Sequence, residues 1–558
     1  MKSSVSILIG GKAGKGIATI EALLTRAFKR SGYFTFSTRE YMSRVRGGSN
    51  TTLIRVSSHP VSAVDFSTDI FIPLDKEAFW HARERIHPET FLIAKKGLYE
   101  CECISYDCDI DALAKEAGNP IVANTIAAAL IFGLLGCRGE VLSGILSELY
   151  EGPILEVNLR ALAVGSELAR ENGGCRYCLG GVEGSGASND LFLSGTDGIA
   201  LGAVAGGCSF VSSYPMSPST GVLTFLAQHG RTFGICVEQA EDEIAAFQMG
   251  LGVWYGGGRA LTTTSGGGFA LMGEGMSLSG MTETPMVVYL AQRPGPATGL
   301  PTRTEQGDLD LAVHAGHGEF PRIILAPGNP GECFELARTA FDLADRYQVP
   351  VILLSDQYLA DSAFTLEYFT PGREQPLPYI VRTAPEYQRY VLSDNGISPR
   401  GIPGYGDGLV LVDSDEHTEE GLITESMEVR RAQHSKRLRK EELIGQSALL
   451  PDPSGRGNIA VVGWGSTKHI VQEALERTGS KRAFALHFSW VHPLYEAQLQ
   501  RLREADAIIV VENNATGQFA NRLTLQGLTI RERILKYDGL PFFVDELANR
   551  LQTVFEEI

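Results

Sequence analysis

The sequence predicts a multidomain α/β protein built on doubly wound sheets. Three observations predict it. Short β-prone runs feed glycine-rich turns at Ser6-Ile7-Leu8-Ile9-Gly10, at Ala260 to Thr264 and at Ile459-Ala460-Val461-Val462-Gly463. Helical patterns with apolar residues three and four apart follow such turns, as Ile20, Leu23, Leu24 and Phe28 do over Ile17 to Ser31. At 558 residues the chain is too long for one core, and about 150 residues per domain gives three or four.

In chain order, residues 1–180 read as a first α/β domain, opening strand–turn–helix and therefore expected to hold a parallel sheet. The apolar run from Ile121 to Gly136 is interrupted by Asn124 and Thr125 and is shorter than the roughly 20 residues of a membrane helix, so it reads as a buried helix. Residues 181–190 are polar and glycine-rich, a linker. Residues 191–385 form a second α/β domain: a helix from Gly195, then strands over Phe210 to Tyr214, Ala260 to Thr264, Met286 to Ala291 and Pro350 to Ser355. Residues 386–457 are a connecting segment with one helix over Met427 to Glu442, and 458–558 are a third, smaller α/β domain with a clear strand at Ala507 to Glu512.

The net charge of −17 argues against a general nucleic-acid or anionic-membrane role, since both need a basic surface. The N-terminus runs directly into a strand without a signal peptide's apolar core, so a cytoplasmic chain is expected. Nine cysteines at irregular spacing read as reduced thiols rather than a disulfide framework.

Four segments between Tyr214 and Leu311 carry the chemistry. Tyr214-Pro215-Met216-Ser217-Pro218-Ser219-Thr220 presents a hydroxyl between two prolines at the C-terminal end of a strand, where open α/β sheets bind ligands. Its plainer reading is a stiff connector before a helix. Glu238 to Ala246 places Glu241 and Glu243 at the start of a small-residue helix; the plainer reading is an acidic first turn favoured by the helix dipole. Thr262 to Gly268 is a strand followed by the turn Ser265-Gly266-Gly267-Gly268, a pattern that opens many helices. Gln292 to Arg303 holds Arg293, Thr298 and Arg303 in a loop of prolines and glycines; a guanidinium there can clamp a carboxylate with two hydrogen bonds, or form a surface ion pair.

Other patterns are weaker. His314, His317 and Glu319 have near-metal spacing, but the glycines among them disfavour a regular helix, and no metal ligand is assigned. Gly10 to Gly16 resembles a phosphate loop without being a Walker A or a full dinucleotide fingerprint. Cys175-Arg176-Tyr177-Cys178 is a lone pair, as consistent with a redox disulfide as with a ligand, and Cys101, Cys103 and Cys108 match no iron–sulfur spacing. Gly406-Asp407-Gly408 has no asparagine before Lys440 and reads as a chance match to a magnesium–diphosphate motif.

In this order, the four central segments closely resemble the α subunit of the 2-oxoacid:ferredoxin oxidoreductases, of the fused γα, 2-oxoglutarate type. The resemblance covers nearly the whole chain. It implies a γ-like domain at 1–180, a thiamine diphosphate pyrimidine-binding domain at 191–385, and a transketolase C-terminal-like domain at 458–558, carried by Glu512-Asn513-Asn514-Ala515-Thr516-Gly517-Gln518. The implied reaction is oxidative decarboxylation of 2-oxoglutarate or a related 2-oxoacid with coenzyme A, giving acyl-CoA, carbon dioxide and reduced ferredoxin, or its reverse; the alternatives are a subunit acting on pyruvate, branched-chain or aryl 2-oxoacids, and a non-catalytic homologue.

The resemblance also implies residue roles. Glu243, with Glu241 as the alternative register, activates thiamine diphosphate, which Pro215, Ser265, Gly266 and Gly267 help to hold. Tyr214, Ser217, Arg293, Thr298 and Arg303 face the substrate, Arg303 anchoring a carboxylate. The family's Tyr-Pro-Ile-Thr-Pro appears here with Met216 and Ser217, so the hydroxyl is kept and a methyl is lost. Lys12, Lys15, Arg44 and Arg46, beside Met42-Ser43-Arg44-Val45-Arg46-Gly47-Gly48, are candidates for coenzyme A contact. The magnesium and diphosphate grip and a [4Fe–4S] cluster are implied in a β partner, within an (αβ)2 assembly that passes electrons to ferredoxin.

Overall fold

A computed structural model describes residues 2–42, 48–97, 99, 101–182, 186–367 and 379–558. Arg44 and Arg46 lie outside the described residues, as do Glu183 to Ser185 of the expected linker. The chain forms two compact units. One comprises Met1–Leu193, Asp361–Thr370 and Phe543–Glu546, the other Ser194–Ala360, Pro371–Phe542 and Leu547–Ile558.

The first unit carries an eight-stranded sheet. Ile104–Asp107, Phe91–Ala94, Ile70–Pro73 and Ser4–Lys12 run parallel, in that order. Beyond Ser4–Lys12 the sheet turns antiparallel, through Ser49–Ser57, Phe34–Glu40 and Ser362–Leu366. The expectation of a parallel sheet is therefore corrected to a mixed one. The connection between Phe34–Glu40 and Ser49–Ser57 is too short for the dozen or more residues a parallel crossover needs.

Two of its strands, Leu191–Ser194 and Ser362–Leu366, come from chain beyond residue 190. The Phe364 ring packs edge-on against Phe36 at 5.1 Å. The helix expected within Ile121 to Gly136 is Ala123–Leu134, and it is buried. Gly165 lets the helix Gly152–Glu171 close on it, since a Cβ there would stand 2.5 Å from the Ile126 carbonyl oxygen. Burial of Leu24, Phe28, Ile126 and Leu130 in this core contributes roughly 1.5–3 kcal/mol per side chain.

The second unit holds two sheets. The seven-stranded sheet runs Trp490–His492, Ile323–Leu325, Pro350–Asp356, Met286–Gln292, Ala260–Thr264, Phe210–Ser213, Cys236–Gln239, parallel except for its first pair. The five-stranded sheet is centred on Ile459–Trp464, with Ala483–Phe488 and Ala507–Glu512 parallel on either side. The expected helix of the connecting segment spans Met427–Ile444. Lys436 and Lys440 on it are fully buried and pair with the equally buried Glu283 carboxylate at 2.8 and 2.6 Å.

Cys101 and Cys103 depart from the expectation of reduced thiols, while Cys175 and Cys178 take the disulfide alternative left open for that pair. Cys101 is bonded to Cys103 and Cys175 to Cys178, each pair brought together by a local turn, while Cys108, Cys137, Cys208, Cys236 and Cys333 are free. Among the described residues no helix is long and apolar enough to cross a membrane.

Candidate active site

Three neighbouring parallel strands of the seven-stranded sheet, Phe210–Ser213, Ala260–Thr264 and Met286–Gln292, deliver three of the four central segments from their C-terminal ends. Hydroxyls lock the strand ends together: Ser213 Oγ lies 2.7 Å from Thr263 Oγ1, and Ser212 Oγ donates to the Ala246 carbonyl at 2.6 Å. The second of these bonds fixes the helix Glu243–Tyr255 over the sheet.

Asp242 caps that helix, accepting the Ala245 N–H at 2.7 Å. Glu243, the first helical residue, turns inward instead. It is 4% exposed, and its Oε1 is buried without a hydrogen-bond partner. Glu241 is exposed. An unmet buried acceptor costs about 1–3 kcal/mol, more when charged, so the geometry leaves a place for a donor.

The glycine turn explains how the carboxylate fits. A Cβ on Gly268 would collide with both Glu243 Oε1 and Thr264 Oγ1. A Cβ on Gly266 would stand 2.5 Å from both carboxylate oxygens of Asp308. Gly267 between them has only the Ala297 carbonyl oxygen near, at 3.9 Å. Ser265, fully buried at the head of the turn, has an Oγ without a partner, and Asp308 Oδ2 is likewise enclosed and unmet. Burial and the neighbouring Glu305 push the Asp308 carboxyl up to about 6, against the opposing pull of Arg293.

Arg293 Nη1 donates to the Ser217 carbonyl at 2.8 Å, so two of the expected substrate-side residues do meet. Ser217 precedes a cis proline and is exposed, as is Tyr214 at 39%, with Pro215 half-buried. Thr298 is exposed on its loop, which closes through the Leu300 N–H to the Pro294 carbonyl at 3.0 Å. Arg303 is half-buried, its stem against Gly539, where Thr304 N–H also donates to the Gly539 carbonyl at 3.1 Å.

The weaker patterns resolve locally. His317 Nδ1 lies 2.9 Å from Ser277 Oγ, while Glu319 pairs with His434 at 3.3 Å. No group of three or more His, Cys, Asp or Glu among the described residues could hold a metal ion. Gly406 to Gly408 folds on Thr383, whose carbonyl accepts the Asp407 N–H at 2.9 Å and whose Oγ1 accepts the Gly408 N–H at 3.1 Å. In the first unit Lys12 pairs with Glu77 and Lys15 with Asp111; Asp111 also lines a cleft of about 560 Å³ with Lys95, Tyr99 and Lys115.

The chain is 30% identical to the 2-oxoacid:ferredoxin oxidoreductase subunit alpha of Saccharolobus solfataricus, over 99% of this chain and 98% of that one. The chain belongs to the 2-oxoacid:ferredoxin oxidoreductase family. Within this family of enzymes it corresponds to the α subunit. The pyruvate flavodoxin/ferredoxin oxidoreductase, thiamine diphosphate-binding family matches residues 201–436, and the pyruvate ferredoxin/flavodoxin oxidoreductase family matches residues 6–168. The 2-oxoglutarate synthase subunit KorA of Methanothermobacter marburgensis is 30% identical over 65% of this chain and 99% of its own. A 2-oxoglutarate:ferredoxin oxidoreductase from Magnetococcus marinus, solved with 2-oxoglutarate, coenzyme A and succinyl-CoA bound, superposes with a TM-score of 0.92 at 29% identity, over 99% of this chain and all of that one.

Sequence reasoning missed three residues that shape this candidate site: Thr264, Gly268 and Asp308. The first two lie inside a motif that the sequence does mark, but their part is to shape the Glu243 niche, which no spacing reveals. Asp308 has a faint signal in Glu305-Gln306-Gly307-Asp308, two acids three apart just past the arginine loop.

Proposed function

We propose that this chain forms the pyrimidine-side and substrate-side half of a thiamine diphosphate site, in an enzyme that decarboxylates 2-oxoglutarate with transfer of the acyl group to coenzyme A. The buried, unpartnered Glu243 Oε1 is the observation that carries this reading. With the unpartnered Ser265 Oγ and the side-chain-free turn from Gly266 to Gly268, it fits a flat, nitrogen-bearing ring. Bound there, thiamine diphosphate supplies the electron sink that 2-oxoacid decarboxylation needs.

This chain's own residues then bind and orient. Glu243 offers Oε1 to a ring nitrogen and can hold a proton there. Ser265, Gly266, Gly267 and Pro215 bound the ring. Tyr214 and the Ser217 hydroxyl line the substrate side, with Arg293 bracing the Ser217 backbone. Arg303 and Thr298 recognise the carboxylates. Overall, 2-oxoacid, coenzyme A and two oxidised ferredoxins give acyl-CoA, carbon dioxide, two reduced ferredoxins and a proton.

The 2-oxoglutarate bound in the Magnetococcus marinus enzyme and the KorA relatives support the choice of substrate. Coenzyme A contact falls to Lys12 and Lys15 of the first unit. A β partner in an (αβ)2 assembly contributes magnesium, the diphosphate grip and a [4Fe–4S] cluster, and the enzyme works in the cytoplasm with ferredoxin. Dye reduction by the complex, compared across 2-oxoglutarate, pyruvate, branched-chain and aryl 2-oxoacids, tests the reading. The highest kcat/KM is expected for 2-oxoglutarate; preference for another acid overturns the substrate assignment, and no turnover of any acid overturns the reaction.

A further inference from the structure

We propose that Cys175 and Cys178 form a thiol–disulfide switch in the first unit. It opens and closes by exchange with an external dithiol, and its closed form pins Lys2 and the strand that follows it. The switch takes no part in the thiamine reading and stands or falls separately from it.

The disulfide of Cys175 and Cys178 closes a turn just beyond the helix Gly152–Glu171. Between the two cysteines in sequence is Tyr177, which is buried in the core of the unit together with Leu179. The Tyr177 N–H donates to the Leu134 carbonyl at 2.9 Å, and its hydroxyl donates to the Glu89 carbonyl at 3.3 Å. The same turn holds Lys2. The Lys2 N–H donates to the Cys178 carbonyl at 2.9 Å, and the Lys2 carbonyl accepts the Gly180 N–H at 3.1 Å. The Lys2 ammonium stands 5.3 Å from the centre of the Tyr177 ring. Lys2 leads into Ser4–Lys12, the strand paired with Ser49–Ser57 on one side and Ile70–Pro73 on the other. The bond between the two sulfurs therefore orders the turn and, through it, the approach to a central strand.

Two features suit exchange better than a permanent brace. A disulfide stabilises most when it closes a long loop, whereas these cysteines are three apart, so the unfolded chain loses little freedom. Cys175 is exposed and Cys178 half-buried, while the free thiols of Cys108, Cys208 and Cys333 are buried. A glycine keeps the space for the exposed sulfur, since a Cβ on Gly136 would stand 2.3 Å from Cys175 Sγ.

The exchange balances. One thiolate of the dithiol attacks Cys175 Sγ, the bond to Cys178 breaks, and Cys178 leaves as a thiolate that takes up a proton. The second thiolate of the dithiol then displaces Cys175. Two electrons and two protons pass to this chain, and the dithiol becomes a disulfide. Closure runs the same steps in reverse.

The test equilibrates the full-length chain with graded mixtures of dihydrolipoate and lipoate, a dithiol and its disulfide. Mass spectrometry reads the fraction of Cys175 and Cys178 open to alkylation, and amide hydrogen exchange compares the open and closed forms. A chain carrying Cys101→Ser and Cys103→Ser runs alongside, so that the other disulfide does not contribute. The pair is expected to titrate reversibly as one two-electron couple. Opening is expected to speed exchange about fivefold or more over Lys2 to Val5 and Tyr177 to Gly180, with the helix Met427–Ile444 unchanged. Cys175→Ser should show the fast exchange in every mixture. A pair that stays open in excess lipoate, or closed in excess dihydrolipoate, overturns the proposal. So does exchange within about twofold between the two forms, because the turn then holds Lys2 without the bond.

Discussion

Asp242 and Glu243 are adjacent carboxylates with opposite roles. Asp242 accepts the Ala245 N–H at 2.7 Å, whereas Glu243 Oε1 is buried and unmet beside Gly268. The plainer reading of this acidic stretch, a favourable first helical turn, is therefore satisfied by Asp242. In the proposed function Glu243 is the carboxylate that meets the ligand.

The two should separate on mutation. Glu243→Gln keeps the shape and removes the charge, and is expected to lower kcat about 100-fold or more with the melting temperature unchanged or slightly raised. Asp242→Ala is expected to cost about 1 kcal/mol of stability through the lost cap. Parallel activity and denaturation measurements check both. A Glu243→Gln variant with full activity would remove Glu243 from the mechanism.

Gly268 and Gly267 form a second contrast. Gly268→Ala drives a methyl into Glu243 Oε1 and Thr264 Oγ1, and is expected to cost about 1–3 kcal/mol and most of the activity. Gly267→Ala meets only the Ala297 carbonyl oxygen at 3.9 Å and should be tolerated sterically. Melting curves of the two variants decide; equal destabilisation would mean that the turn can relax and does not shape the Glu243 niche.

The buried cluster of Glu283, Lys436 and Lys440 predicts a stability effect remote from catalysis. Glu283→Ala strands two buried ammonium groups and is expected to cost about 3–5 kcal/mol. The Glu283 carboxyl lies well below its ordinary value of 4.5 despite burial, which opposes the shift, because Lys440 and then Lys436 stabilise its charge. Its contribution is therefore present above pH 4.5 and lost as pH falls below it. Denaturant titrations of wild type and Glu283→Gln from pH 7 to 3 should converge on the acid side.

Asp308 predicts the reverse slope. Burial, with Glu305 adding to it and Arg293 opposing, raises its folded value from 3.8 to about 6. Its contribution is fully present below 3.8 and declines as pH rises through 6. Asp308→Asn should flatten that decline and, at pH 7, stabilise the chain by up to about 3 kcal/mol. Melting temperature against pH from 4 to 8 checks it, and an unchanged slope would show that Asp308 titrates as an ordinary surface acid.

Much of the fold was legible where it is local. The strand Ala260–Thr264 and the helix begun at Met427 follow from their own residues, since β-prone runs and turn glycines act over a few positions. The last two strands of the eight-stranded sheet, Ser362–Leu366 and the edge strand Leu191–Ser194, were not legible, because pairing there depends on distant partners such as Phe36, more than 300 residues away from Phe364. The site divides in the same way. Glu243 and the glycine turn stood out as motifs, whereas Asp308 gains its properties from burial against Gly266, a long-range contact that no spacing encodes.

A split thiamine site, with this chain as one half, is open to a direct assay. The readout is 2-oxoglutarate-dependent reduction of a viologen dye, with thiamine diphosphate, magnesium and coenzyme A present. It is measured for the purified chain alone and after assembly with its iron–sulfur partner. A split site predicts no reduction by the chain alone and robust, Glu243-dependent reduction by the complex. Robust reduction by the single chain would contradict it.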